Sequence, residues 1–207
     1  MTAKDAKALL AHGDIDENFL SEYFVGDVSP DGTVPDNLAY IGDGIETVDP
    51  KQDDTKSQKA YYNGGGQQTT TITGSTRSLD FSGDRSTGDP AQDLIAGLAS
   101  ETGAARNKWF RENDYVMGDT GKLELVASRT GTVTWSDITD KGGNATDPGS
   151  FKATATYTAK PTVLSASKSD DREGLATVLT ETPSINAVIL GKEAVVQGAA
   201  ADPDAGK

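Results

Sequence analysis

The 207-residue sequence contains no cysteine and a single histidine, His12. Without cysteine the chain has no disulfide, no thiolate nucleophile and no thiolate metal ligand, which fits synthesis in a reducing cytosol. A Ser-His-Asp triad built on His12 would lie in a polar N-terminal segment with no core to hold its geometry. A histidine zinc site lacks partners altogether. We therefore predict a protein that is not an enzyme and that uses no cofactor and no metal.

Aromatic residues and basic clusters are also scarce. Aromatics make up 6% of the chain and all hydrophobic residues 35%, which predicts sheets with small side chains and long polar loops. Lys and Arg number 19 against 32 Asp and Glu, for a net charge of −13. Because phosphate binding requires clustered Lys and Arg, nucleic-acid binding and attachment to anionic membranes are both disfavoured.

Long hydrophobic runs are missing as well. No segment approaches the roughly 20 apolar residues that a membrane helix requires. The first residues also lack the apolar core of a secretory signal. We therefore expect no association with a membrane.

Two short motifs imitate functional sites but fail in detail. Residues 14–18 begin like a calcium-binding loop, yet Phe19 stands where its glycine is required and Val25 where its bidentate glutamate belongs. Residues 42–47 (GDGIET) suggest a dinucleotide fingerprint, but the third glycine and the following helix are absent. A turn or bulge is the better interpretation of the second motif.

Alternating apolar and polar residues predict antiparallel strands along much of the chain. The clearest case is residues 151–159, where every second residue from Phe151 to Tyr157 is apolar and the residues between are Lys or Thr. Residues 49–66 combine charges with three consecutive glycines and predict a long exposed loop. Strands are predicted at residues 38–48, 67–81, 107–115, 122–128, 130–138 and 151–159, with further candidates at 188–190 and 195–196.

A turn rich in Gly and Asp follows the Thr/Ser-rich strand at 67–81. Residues 83–88 (GDRSTG) are full of helix and strand breakers. Asp89 then occupies an N-cap position, Pro90 the first helical position and Asp93 the first turn. The helix predicted at 90–98 has an apolar stripe formed by Leu94, Ile95 and Leu98.

This strand, the GDRSTGDPAQD turn and the helix resemble the tail tube proteins of long-tailed, siphovirus-type bacteriophages, where a similar turn leads into a helix packed on a β-sandwich. A second likeness lies in the final strands, which comprise GTVTW at 131–135, the GGNATD loop at 142–147, FKATATY at 151–157 and Lys160-Pro161. The resemblance covers residues 38–163. It implies a mainly β fold, in which antiparallel sheets form a sandwich or barrel with one flanking α-helix.

The same resemblance implies a structural subunit that self-assembles into hexameric rings, which stack into a tube for DNA ejection. The implied partners are further copies of the chain together with the tail tip or baseplate, tape measure and tail terminator proteins. DNA would pass through the tube without specific binding. The protein would be made in the host cytoplasm and would reside in the virion tail, and whether that tail is contractile stays open.

Particular residues acquire expected roles in such a tube. A neutral or acidic inner wall would avoid trapping DNA by counterion release, and Asp80 and Asp84 are the candidate lumen-facing residues. The predicted 49–66 loop is expected to reach a neighbouring ring. Its candidate contact residues are Asp53, Asp54, Lys56, Lys59, Tyr61 and Tyr62.

The predicted organisation of the chain has three parts. An N-terminal arm covers residues 1–37, and the tube domain covers 38–164. Residues 165–207 form a C-terminal extension with a flexible end, which we expect on the tube exterior or at an interface between subunits.

An alternative function is that of a soluble β-sandwich binding module, either an adhesin or a carbohydrate-binding domain. Sugar binding requires exposed aromatic platforms, and only Tyr61 and Tyr62 are obvious candidates. Trp109 and Trp135 lie in alternating strand patterns, which favours core packing for both. Aromatic exposure therefore discriminates between the two functions.

Overall fold

A computed structural model describes residues 17–118 and 121–198. Parts of the predicted arm (1–16) and extension (199–207) lie outside this range. The strands are β1 (Ser21–Gly26), β2 (Ala39–Tyr40), β3 (Ile45–Ala60), β4 (Gln68–Asp84), β5 (Asn107–Met117), β6 (Leu123–Gly142), β7 (Ser150–Tyr157), β8 (Thr162–Ser165) and β9 (Ala194–Val196). The α-helices are α1 (Pro90–Gly97), α2 (Arg172–Glu181) and α3 (Ile185–Leu190). The prediction of a mainly β fold is confirmed.

All of these strands belong to one sheet with the order β2-β1-β5-β6-β7-β4-β3. Neighbours along this path are antiparallel, while β8 pairs antiparallel and β9 parallel with the N-terminal half of β6. The two strands predicted at 122–128 and 130–138 are one strand, β6. The hydrogen-bonded ladder between β6 and β5 continues through Arg129 and Thr130. The alternation pattern of the sequence instead predicts a break between two strands at this point.

The sheet is folded over on itself. β1 and β4 are separated by three strands in the sheet order, which amounts to about 19 Å in a flat sheet. Nevertheless, the ring centroids of Tyr23 on β1 and Phe81 on β4 lie only 5.4 Å apart. The two halves of the sheet therefore face each other across a core, as in a sandwich or barrel.

This main core lies on the inner face of the folded sheet, and α1 closes one side of it. Ala91 and Ile95 of α1 are wholly buried against the sheet. The buried members of the core are Val25, Ala39, Ile41, Leu79, Phe81, Ala91, Ile95, Leu98, Phe110, Val133, Trp135, Phe151, Ala153, Ala155 and Tyr157.

A second, smaller core lies on the outer face of the sheet, beneath α2 and α3. A β-bulge where Asp114 and Tyr115 meet β6 makes the side-chain alternation shift by one residue. Leu123 and Leu125 therefore point away from the main core, toward the C-terminal helices. The members of this core are Leu20, Tyr115, Leu123, Leu125, Ala166, Leu175, Val178, Ala187 and Val196.

The predicted loop at 49–66 is wrong. Residues 45–60 form β3, which pairs with β4 over its whole length, and the turn between them is confined to residues 61–67. Charged and polar residues stand on both faces of β3, because most of the strand buries neither face. Without a buried face there is no apolar alternation from which a strand could be predicted.

The boundaries of the predicted arm and extension also need correction. Residues 21–26 are not an arm, since β1 is an internal strand between β2 and β5. Within 165–198, the chain forms α2, α3 and β9, which pack on the sheet as an integral layer.

The strand candidate at 188–190 is helical. Ser184 caps α3 by accepting a hydrogen bond from the Ala187 amide (3.0 Å), and Gly191 ends it with φ 62°. A short apolar run does not by itself distinguish a helix from a strand. The candidate at 195–196 does lie in a strand, β9. Among the helices of the described segments, none has the length and apolar character needed to cross a membrane.

Candidate assembly surface

The most exposed regular structure is a two-stranded ribbon formed by residues 52–60 of β3 and 68–77 of β4. β4 pairs with β7 only from Ser78 to Asp84, and in the described part of the chain β3 has no neighbour except β4. Both edges of the ribbon are therefore unpaired. At 3.3 Å per residue, the ribbon projects about 30 Å from the body of the subunit.

Such a ribbon is unusual in an isolated molecule. Two-stranded hairpins are marginally stable in water, and long open edges are templates for pairing with other chains. Most side chains of the ribbon are exposed on both faces. These properties make the ribbon the candidate segment for contact with another chain.

All six residues proposed from sequence as inter-ring contacts lie on this ribbon or its turn. Strand alternation places Asp54 and Lys56 on one face and Asp53 and Lys59 on the other. Tyr61 is 54% exposed and Tyr62 is fully exposed at the end of the ribbon. The structure thus places all six residues on one element. Four of them are divided between its two faces, and the two tyrosines lie at its end.

The outer face of β4, β7 and the C-terminal half of β6 is polar. Its side chains alternate with the core residues Leu79, Phe81, Ala153, Ala155 and Trp135. We call this surface the polar face, and it consists of Ser78, Asp80, Ser82, Asp84, Thr134, Ser136, Lys152, Thr154 and Thr156.

Asp80 and Asp84, the candidate lumen-facing residues, both lie on the polar face. Asp80 is paired with Lys51 of β3 and accepts a hydrogen bond from Thr154 Oγ1 (2.7 Å). These two contacts, Lys51 foremost, hold the pKa of Asp80 below its ordinary value. Asp84 is exposed at the end of β4. Lys51 and Lys152 stand among Asp49, Asp80 and Asp84, so the surface carries charges of both signs and is rich in hydroxyl groups.

The GDRSTGDPAQD turn joins β4 to α1 through a dense set of hydrogen bonds. As predicted, Asp89 caps the helix by accepting a bond from the Gln92 amide (2.8 Å), and Pro90 is the first helical residue. Arg85 donates to Asp93 (2.5 Å) within the turn and to Asp140 of β6 (2.5 Å). Arg85, which directly follows β4, therefore links α1 to both β4 and β6.

Gln92 and Gly83 complete this joint. The buried Gln92 side chain donates to the carbonyl oxygens of Asp43 (2.6 Å) and Asp84 (3.2 Å) and accepts from the Ser86 amide (2.8 Å). A Cβ at Gly83 would lie 2.1 Å from the carbonyl oxygen of Gly44, so the backbones approach too closely for any side chain. The motif is a packing joint, and its side chains are committed to structure.

A buried charge cluster at the base of the ribbon has no signal in the sequence. Arg77 of β4 forms a bidentate pair with Glu112 of β5, at 3.1 Å from Nε and 2.7 Å from Nη2. Tyr157 donates to Glu112 Oε1 (2.9 Å), and Arg129 contacts Asp114 (2.6 Å). The four strands that contribute these residues follow one another in the chain, but β4 and β5 meet only because the sheet folds over on itself, so no local spacing pattern could reveal the cluster.

Among residues 17–118 and 121–198 there is no group of three or more His, Asp or Glu side chains placed to hold a metal ion. Trp109 and Trp135 are buried, as predicted. The surface instead offers a polar sheet face and a projecting ribbon, both suited to contacts between large molecules.

No protein-family model matches the chain, and no curated protein matches it. A chain from the tail of an empty GTA particle with C6 symmetry has a TM-score of 0.50 at 10% identity, covering 72% of this chain and 98% of that chain. The anti-feeding prophage tube-terminating cap has a TM-score of 0.49 at 13% identity, covering 80% and 98%. The sheath/tube terminator of PVC, an extracellular contractile injection system, has a TM-score of 0.49 at 13% identity, covering 75% and 100%.

At 10% identity, the likeness to the GTA tail chain shows a shared fold. The chain therefore shares its fold with that chain of the GTA particle tail. The two likenesses with TM-scores of 0.49 are too weak to add to this conclusion.

Proposed function

We propose that the chain is a structural subunit of a siphovirus-type tail tube and that it self-assembles into stacked hexameric rings. The projecting ribbon carries this proposal, because a two-stranded hairpin about 30 Å long is marginally stable by itself in water and its two open edges are templates for pairing with a neighbouring chain. The fold supports it, since the similar GTA tail chain belongs to a particle with C6 symmetry. The role is structural and not catalytic.

In this proposal the polar face lines the lumen, with Asp80 and Asp84 exposed to it. Hydroxyl side chains and charges of both signs give phosphates no cluster of cations to bind. DNA can then slide through the tube during ejection without being held. The opposite half of the folded sheet, covered by α2 and α3, would form the tube exterior.

The ribbon is proposed to contact the neighbouring ring through Asp53, Asp54, Lys56, Lys59, Tyr61 and Tyr62. The faces of the ribbon carry charged residues of both signs. Such a pattern favours one register of the contact and disfavours incorrect partners. At the ends of the tube, the same surfaces would meet the tail tip or baseplate and the terminator, and the lumen would hold the tape measure protein. The subunit would be made in the host cytoplasm and assembled into the virion tail.

Removing the ribbon tests this function. In the variant, residues 53–76 are replaced by Asn-Gly, which closes a tight hairpin between Gln52 and Arg77. We expect a folded monomer that forms neither rings nor tubes by negative-stain electron microscopy. Shortening the exposed loop at 144–147 is the matched control and should leave assembly intact. Normal tubes from the ribbon deletion would refute the assignment.

A binding module remains the second candidate, because Tyr61 and Tyr62 are exposed at the end of the ribbon. A glycan screen with the intact chain and with a variant carrying Tyr61→Ala and Tyr62→Ala distinguishes the two functions. Glycan binding that depends on both tyrosines, together with no assembly, would favour the binding module.

A further inference from the structure

Arg77 occupies the point where the ribbon leaves the body of the subunit. The pairing of β4 with β7 begins at the neighbouring residue, with Ser78 opposite Thr156. From Arg77 outward, β4 is paired with β3 alone. Any contact that fixes the direction of the ribbon must therefore be made at or next to this residue.

The side chain of Arg77 reaches across the inside of the folded sheet rather than along it. Its partner Glu112 lies on β5, which is three strands away from β4 in the sheet order. The two guanidinium–carboxylate hydrogen bonds, at 3.1 and 2.7 Å, form a planar fork. A bidentate pair of this kind fixes orientation as well as distance.

Glu112 is a rigid anchor for this fork. Its side chain is only 3% exposed, and Tyr157 donates to it from β7. Burial, together with the charge of Glu112, raises the pKa of Tyr157 above its ordinary value of 10. Arg129 approaches the second carboxylate oxygen at 3.8 Å without a close contact.

A second ion pair near the ribbon base is a weaker candidate for this role. Lys51 and Asp80 pair on the opposite face, but their side chains are 57% and 35% exposed. Exposed pairs of this kind contribute little and are screened by salt. The bidentate fork, whose carboxylate is buried, is therefore the contact able to hold the ribbon in one direction.

We propose that the Arg77–Glu112 pair is a clamp that sets the angle of the ribbon, which makes Arg77 a positioning residue for assembly. This inference rests on the proposed function, in which the ribbon contacts a neighbouring ring. A rotation of about 10° at the base moves the end of a 30 Å ribbon by about 5 Å. Such a displacement breaks any specific contact at its tip.

The absence of cysteine allows a direct measurement of the ribbon angle. Lys59→Cys on the ribbon and Lys160→Cys on the body, both exposed sites, carry spin labels in the dilute, full-length monomer. Pulsed electron paramagnetic resonance then gives the distribution of distances between them. We expect a narrow distribution in the parent and one of roughly double width in Arg77→Gln, which cannot form the charged fork.

Arg129→Gln is the matched control. It removes the same charge from the same cluster, and the side chains of Arg77 and Arg129 are 27% and 28% exposed. Because Arg129 lies on β6 and not on the ribbon, its loss should leave the distribution narrow. Arg77→Lys keeps the charge but loses the fork, so it should remain folded and still broaden the distribution.

A narrow distribution in both Arg77 variants, or equal broadening in Arg129→Gln, would overturn the clamp. For assembly, we expect Arg77→Gln to raise the protein concentration needed for tubes about tenfold, and Arg129→Gln to leave it unchanged. A broadened distribution with unchanged assembly would overturn the positioning role. If the variant without the ribbon still forms tubes, the proposed function is wrong. The distance measurement would still show whether the Arg77–Glu112 pair sets the angle of the ribbon.

Discussion

Ala155 lies in the middle of β7, wholly buried between Leu79 of β4 and Trp135 of β6. Ala155→Asp places a carboxyl group among the hydrophobic side chains of the main core. The buried indole N–H of Trp135 beside it has no hydrogen-bond partner in the described structure, and this neutral donor offsets only part of the cost. The adjacent residue Thr156 points to the polar face. Thr156→Asp is therefore a control that differs from the first variant mainly in the side of the sheet that receives the charge.

The expected cost has two parts. An introduced carboxyl in an apolar site either stays charged or is neutralised by a pKa shift, and a shift of about 3 units costs about 4 kcal/mol. The three extra heavy atoms add an overpacking cost of about 1–3 kcal/mol, because Ala155 is wholly buried between Leu79 and Trp135. The sum approaches the whole stability of a typical domain, about 5–15 kcal/mol.

Urea unfolding of the two variants at pH 7 measures this difference, with the fluorescence of the two buried tryptophans, Trp109 and Trp135, as the probe. We expect Ala155→Asp to lose about 4 kcal/mol or more and Thr156→Asp to lose less than about 1 kcal/mol. The loss in Ala155→Asp should shrink in acid, where the introduced carboxyl is neutral. Equal small losses, or a larger loss in Thr156→Asp, would mean that the packed and exposed faces are reversed.

Two further predictions concern charge. Burial raises the pKa of Glu22, whose Oε1 accepts hydrogen bonds from Ser184 Oγ and the Asn186 amide (both 2.7 Å). The folded state therefore holds this proton more tightly than the unfolded chain, and the free energy of unfolding should fall as pH rises above the ordinary value of 4.5. In Glu22→Gln this component disappears, so urea unfolding should show a gain over the parent that grows with pH; a constant difference would contradict it. Separately, subunits with a net charge of −13 repel one another, so added salt should lower the concentration at which tubes form in light scattering. Assembly that weakens with salt would show that attraction between opposite charges dominates instead.

Local chemistry explains why α1 could be predicted from sequence. Its start depends on Asp89 as N-cap and Pro90 as first residue, and both act through the backbone immediately next to them. The alternation of apolar and polar residues predicts β7 equally well, because one face of this strand is buried and the other is not. In both cases the surroundings of the element are the same along its whole length, and the pattern of residue types follows from those surroundings.

The ribbon and the charge cluster could not be predicted for the opposite reason. Residues 52–60 bury neither face in the subunit, so they carry no apolar period, and their glycine-rich turn favoured a loop. The Arg77–Glu112 pair depends on the sheet folding over on itself, which joins two strands that stand three positions apart in the sheet order. The bulge in β6 likewise transfers alternate residues to the other face without any breaker residue.

Cryo-electron microscopy of the purified chain at rising protein and salt concentration tests the central claim most directly. The account predicts hollow rings of six subunits that stack into tubes, with Asp80 and Thr154 of the polar face on the channel wall and the ribbon reaching the next ring. Rings with the polar face turned outward, or monomers at every concentration tested, would contradict it.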